Sequence, residues 1–151
     1  MKNFGVTVLF LSLLGSGCAT QATIKATTNV HAQNKTDFER AQKYYDLSML
    51  SEAEVLFKKV LKNTPELDEA ALRLGNIYVR TGQLEAAVLY YRQCTTKNPN
   101  NYRCWNNLSL VRVKQAIATL EDGQKSFNQG SVEQENLIKL HDQLVIAVSG
   151  N

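Results

Sequence analysis

Apolar and small residues recur at steps of three and four along most of the chain, the spacing of helices with one covered face. Phe38, Ala41, Tyr44, Tyr45 and Leu47 form one such stripe, and Ala53, Leu56, Phe57, Val60 and Leu61 form a second. Thr36 with Glu39, and Ser51 with Glu54, have capping-box spacing and are expected to start these two helices. Asn63-Thr64-Pro65 is expected to stop the second, because proline drives the preceding residue out of the helical region. Ala71, Leu74, Gly75 and Tyr78 predict a third helix, Thr81-Gly82 a turn, and Leu84, Ala87, Val88, Tyr91 and Cys94 a fourth. Asn98-Pro99-Asn100-Asn101 is the next stop signal. A glycine inside a helix costs about 1 kcal/mol against alanine. Gly75 is therefore expected to mark a close helix crossing, with Ala87 as the small residue facing it.

Beyond residue 101 the pattern changes. Leu110, Val113, Ile117, Leu120, Gln124 and Phe127 follow alternating steps of three and four, which predicts one long helix with a narrow apolar seam and a weak point at Gly123. Asn128-Gln129-Gly130-Ser131 breaks the chain, and Ser131 with Gln134 is expected to cap a last helix. That helix carries two adjacent rows, Ile138, His141, Val145, Val148 and Leu137, Leu140, Leu144.

A repeat underlies this pattern. Ala53, Phe57, Val60 and Pro65 reappear as Ala87, Tyr91, Cys94 and Pro99, each displaced by 34 residues. Such a period describes pairs of antiparallel helices that must stack on their neighbours to cover their apolar faces. The expected fold class is all-α, an antiparallel helical-hairpin solenoid over residues 35–149. It comprises units at 34–67 and 68–101, and a degenerate third unit merged with a closing extended hairpin at 102–149. The third unit begins regularly with Trp105, Leu108 and Ser109, then departs where Arg112 replaces the expected tyrosine.

At this period, and with these residues, the chain resembles the tetratricopeptide repeat. The resemblance implies a binding scaffold in which the first helix of each unit lines a concave groove. Carried over by position, that groove presents Phe38, Gln42 and Tyr45, then Leu72, Asn76, Val79 and Arg80, then Arg103, Asn106, Leu110 and Val113. Phe38, Gln42 and Arg73 stand where chaperone-binding members place a carboxylate clamp, which disfavours a free C-terminal carboxylate as ligand. An aromatic and aliphatic groove suits an amphipathic helix or an extended apolar peptide. In the alternative, Phe38, Leu72 and Leu110 are covered by the chain's own tether or closing hairpin.

The N-terminus has a different character. Lys2 precedes an apolar run from Phe4 to Leu14 that is short for a membrane span, followed by Gly15-Ser16-Gly17-Cys18. Residues 1–17 therefore read as an export signal. The ending resembles a bacterial lipobox, with Gly15 where a larger aliphatic residue is usual, and implies lipidation of Cys18. Ala19 follows, rather than the aspartate that signals inner-membrane retention. The resemblance thus implies a lipid anchor at the periplasmic face of the outer membrane. Residues 18–34, rich in Ala, Thr, Gln and Asn, are expected to be a flexible tether. With Cys18 lipidated, Cys94 and Cys104 remain as an even pair in an oxidising compartment. They are either bridged or two buried thiols.

Charge and chemistry narrow the function further. The formal net charge of +3 becomes +2 on losing Lys2, too weak to argue for nucleic acid. The two histidines, His31 and His141, have no evident partners in the sequence. No phosphate loop, paired CxxC, HExxH or GxSxG motif is present. No cofactor, no metal and no catalysis are expected. Lipoproteins of this architecture are similar to pilotins and to assembly factors of type IV and tight-adherence pili. That likeness implies a secretin or pilus component as partner. An adaptor for peptidoglycan-modifying enzymes, or a permanent structural subunit of an envelope complex, are the competing roles.

Overall fold

The computed structural model describes residues 18–149; the expected signal segment, residues 1–17, lies outside them. The chain divides into two compact units, Met1–Gln33 and Asn34–Asn151. In the first, the described residues are helical and form the opening of α1, Cys18–Asp46. This corrects the expected tether over 18–34 and the expected helix start at Thr36. No glycine or proline occurs between Ala19 and Asp46 to interrupt the hydrogen-bond ladder. The Ala, Gln and Lys residues there also favour helix. Thr36 and Glu39 are therefore interior residues with no helix end to cap.

The second unit continues with the last part of α1, then α2 (Leu50–Asn63), α3 (Asp68–Arg80), α4 (Leu84–Lys97), α5 (Tyr102–Lys125) and α6 (Val132–Ser149). From α2 onward consecutive helices pack against each other, as a hairpin array requires, and α1 meets α2 through Phe38 and Phe57. Met49, not Ser51, is the N-cap of α2, and it makes no side-chain cap bond. The reversal before α2 comes from Ser48, which adopts a left-handed φ of 60°, with the Met49 N–H donating to the Tyr44 carbonyl at 2.9 Å. Thirty-four residues on, Gly82 repeats this geometry with φ 74°, and the Gln83 N–H donates to the Tyr78 carbonyl at 2.8 Å. The repeat register therefore extends to turns whose sequences differ.

The same register appears at the head of each unit. Asn34 donates to the Val60 carbonyl and to Thr64 Oγ1 at 3.3 and 2.6 Å, and accepts from Asn63. Its counterpart Asp68 accepts from Asn98 and Asn101, both at 2.8 Å. Burial pushes the Asp68 carboxyl pKa up, but these amide donors outweigh it and leave the group below its ordinary value. At matching repeat positions, Asn34 inside α1 and Asp68 at the start of α3 are thus tied by side-chain hydrogen bonds to the end of the following helix or the turn after it.

Ala41, Ala53, Phe57, Val60, Ala71, Leu72, Leu74, Ile77, Ala87, Tyr91, Cys94, Cys104 and Val111 form one continuous buried core. Gly75 faces the Tyr91 ring, and a Cβ placed there would fall within it. Ala87 is therefore not the residue that explains this glycine. One unit earlier the equivalent positions are Ala41 and Phe57, both fully buried, so the repeat keeps a small residue and a ring at these two positions.

α5 runs unbroken through Gly123, whose open side faces Leu137 of α6. Ser131 caps α6 as its spacing predicts: Ser131 Oγ accepts from the Gln134 N–H at 3.2 Å, and Gln134 Oε1 accepts from the Gly130 N–H at 2.8 Å. No α6 residue is fully buried, and Ile138, Leu140, Val145, Ile146 and Val148 are exposed.

Candidate functional site

Three first helices and one second helix meet around an open cavity of about 290 Å³. Tyr45 of α1, Asn76, Val79 and Arg80 of α3, Tyr91 of α4, and Asn107, Leu110, Val111 and Lys114 of α5 line it. The α3 residues occupy steps i, i+3 and i+4, and those of α5 occupy i, i+3, i+4 and i+7. Each set therefore shares one helix face. The repeat aligns the two sets, since Leu110 stands 34 residues after Asn76 and Lys114 stands 34 after Arg80.

The polar part of the lining is ordered from behind. Asn76 Oδ1 accepts from the Tyr91 hydroxyl at 2.8 Å and from Asn107 Nδ2 at 2.9 Å. This spends the acceptor end of the Asn76 amide and leaves its Nδ2 to donate. Tyr91 reaches Asn76 because Gly75, one residue earlier, makes room for its ring. Burial pushes the Tyr91 phenol up to about 12, so it remains a neutral donor. Tyr45 is held between two guanidinium groups, 5.4 Å from Arg73 and 5.2 Å from Arg80. Arg73 is paired with Glu69 at 3.0 Å. Arg80 instead donates to Ser48 Oγ at 2.9 Å. Among the described residues no carboxylate pairs with Arg80 or Lys114, and none lines the cavity.

Of the groove residues expected from sequence, the structure brings Tyr45, Asn76, Val79, Arg80 and Leu110 together here. The other six do not line the cavity. Phe38 packs edge-on against Phe57, with ring centroids 5.5 Å apart. Leu72 is fully buried in α3, a helix that packs against α2, α4 and α5. Gln42 donates to Asp46, and Asn106 accepts from the Tyr102 hydroxyl. Arg103 is an exposed residue paired with Glu69 at 3.2 Å, and Val113 is half-buried elsewhere on α5.

Tyr91, Asn107, Val111 and Lys114 are the lining residues that sequence reasoning missed. Lys114 was reachable by adding one repeat length to Arg80. In the sequence Tyr91 reads only as part of the α4 stripe, and the opening at Gly75 is what brings its hydroxyl to the cavity wall.

Away from this site, Cys94 of α4 and Cys104 of α5 are joined as a disulfide, with Cα atoms 5.9 Å apart. His141, which had no partner in the sequence, lies 3.7 Å from Glu121 and 3.1 Å from Asp142. On the outer side of α2, the hydrogen bonds from Lys58 and then Tyr78 hold Glu54 below the usual carboxylate range, and Glu54 in turn raises Lys58. The Cys18 side chain is outside what the structure describes.

Comparison with known proteins agrees with this architecture. Residues 68–111 match the family model of the tetratricopeptide repeat. Among curated proteins the chain is 27% identical over 94 residues to "Photosystem I assembly protein Ycf3" of Synechococcus sp. (strain CC9605), covering 62% of this chain and 49% of that protein. The proteins of the same name from Parasynechococcus marenigrum (strain WH8102) and Prochlorococcus marinus (strain NATL2A) are 28% and 24% identical over 94 and 115 residues. These matches cover 62% and 73% of this chain, and 49% and 61% of the relatives. The chain thus spans about half the length of the first two relatives. Residues 68–111, which supply most of the cavity wall, are a tetratricopeptide repeat within an all-helical hairpin array.

Proposed function

We propose that the protein is a non-catalytic scaffold, lipid-anchored through Cys18 at the periplasmic face of a bacterial outer membrane. In this role it holds a partner protein during assembly of a multisubunit membrane machine. The observation that carries this reading is the cavity, where consecutive helical units present an exposed apolar and cationic surface around part-buried amide hydrogen bonds. Such a surface suits a side chain of a partner helix or peptide. Among the described residues no helix is long and apolar enough to cross a membrane, so attachment in this proposal rests on the lipid.

Assembly is the common element of two lines of support. The architecture resembles pilotins and pilus assembly lipoproteins, which favours a secretin or pilus partner. The relatives carry the name of a photosystem I assembly protein, which favours an assembly intermediate of a different membrane complex.

A photo-crosslinking residue at Leu110, compared with one at the exposed but remote Leu89, tests the scaffold in membranes of the native host. The expected result is a discrete subunit of a pilus, secretion or photosynthetic complex captured at Leu110 and absent at Leu89. Equal capture at both positions, or none at Leu110, overturns the reading. Mass spectrometry of the mature N-terminus tests the anchor separately, with an unmodified Cys18 excluding it.

A further inference from the structure

The cavity offers hydrogen-bond donors and positive charge, and among its lining residues no anionic acceptor. Asn76 presents Nδ2 because its oxygen is already occupied by Tyr91 and Asn107. Arg80 and Lys114 add two cations that no carboxylate neutralises among the described residues. Val79, Leu110 and Val111 supply the apolar part.

On α5 the apolar and cationic lining residues are separated along the helix, whereas on α3 Val79 directly precedes Arg80. Arg80 follows Asn76, and Lys114 follows Leu110, by one helical turn each. α3 and α5 are the first helices of successive units, so both cations lie toward the same end of the site. A fitting ligand has an aliphatic group and a carboxylate about one helical turn apart, which an amphipathic helix provides at positions i and i+4.

Resting on the scaffold reading above, we infer that the partner docks through a helix that places an aliphatic side chain against Val79, Leu110 and Val111. The same helix sets an internal Glu or Asp carboxylate between Arg80 and Lys114. The Asn76 amide donates to the same carboxylate or to the partner backbone beside it. The charge fixes orientation along the groove and the apolar group fixes depth.

Titration of the full chain with acetylated alanine-based helical peptides, amidated except where a free C-terminus is stated, tests this, followed by backbone amide shifts and calorimetry. One peptide carries Leu and Glu at i and i+4, a second carries Leu and Gln, and a third carries Leu with a free C-terminal carboxylate. The Leu/Glu peptide should perturb the amides of Val79, Leu110 and Lys114. It should bind at least about fivefold tighter than the Leu/Gln peptide, an advantage that shrinks as salt rises. Lys114→Gln, at an exposed position, should remove most of that advantage while leaving the thermal transition unchanged, and Arg80→Gln should act in the same direction.

Equal binding of the Leu/Glu and Leu/Gln peptides at these amides overturns the anionic ligand but leaves the scaffold standing. Tighter binding of the free-carboxylate peptide overturns the internal side chain as source. Perturbation by none of the peptides removes both the inference and the cavity as docking site.

Discussion

Two glycines with the same helical setting have opposite expected responses to alanine. At Gly75 an added methyl meets the Tyr91 ring, which is itself 2% exposed and bonded to Asn76. Gly75→Ala should cost about 1–3 kcal/mol in denaturant unfolding, the usual penalty for overpacking a full core. Gly75→Ala combined with Tyr91→Leu should cost less than the sum of the two single changes. At Gly123 the added methyl meets only the end of the Leu137 side chain, at 3.2 Å, beside a half-exposed helix. The side chain can yield there, so Gly123→Ala should stabilise by up to about 1 kcal/mol through helix propensity. A loss of stability at Gly123 would indicate a tighter α5–α6 contact than the burial pattern implies.

Tyr91 also gives the molecule a pH response with a defined sign. Its phenol ionises near 10.0 when exposed and near 12 in the fold, because burial penalises the charged form. The contribution is complete below pH 10 and is lost as pH rises through the folded value, because the unfolded chain gives up this proton first. Stability measured by urea titration should therefore fall between about pH 10 and 12. Tyr91→Phe should flatten that part of the profile relative to the parent.

The bridge between α4 and α5 holds two successive units together at the scale of elements. Cys94 and Cys104 close a short loop around the Pro99 turn, where the Trp105 indole also donates to the Pro99 carbonyl at 2.9 Å. Replacing both cysteines by serine should lower stability by about 2–4 kcal/mol by removing a constraint on the unfolded chain. The readout is the urea midpoint of the double variant against the oxidised parent. Retention of the parent midpoint would show that the two thiols are not bridged in the purified protein. The turns inside the first two units reach one geometry by different means: Gly82 takes a left-handed conformation without steric penalty, whereas Ser48 takes it despite its Cβ.

Stability across the whole array is uneven. The buried core draws on the last part of α1, on α2 to α4, and on α5 only as far as Val111. The outer part of α5 and all of α6 form a half-covered hairpin, with Leu137, His141 and Leu144 partly sheltered and Phe127 and Val132 exposed. Hydrogen exchange should therefore be slowest in α3 and fastest, among the helices of this unit, in α6, because local opening of α6 exposes little additional apolar surface. Protection of α6 equal to that of α3 in the purified monomer would contradict this picture. The same arrangement keeps the cavity at the well-packed end of α5, where Asn107 and Val111 are held firmly enough to present Leu110 and Lys114.

The sequence by itself determined the helical hairpins, their 34-residue register, the irregular third unit and the candidate pairing of the cysteines. These follow from the spacing of Ala53, Phe57, Val60 and Pro65 and of their partners, because local periodicity and proline stops act within one helix or turn. The helix upstream of Thr36 was not legible, since a stretch without a strong apolar stripe reads as tether even when nothing in it breaks a helix. Only the tertiary structure decided which groove positions are open. Leu72 and Leu110 look alike in sequence, yet one lies beneath three neighbouring helices and the other on the last regular helix. Coverage by other elements is non-local, and so is the passage of the Tyr91 hydroxyl past Gly75 to order Asn76.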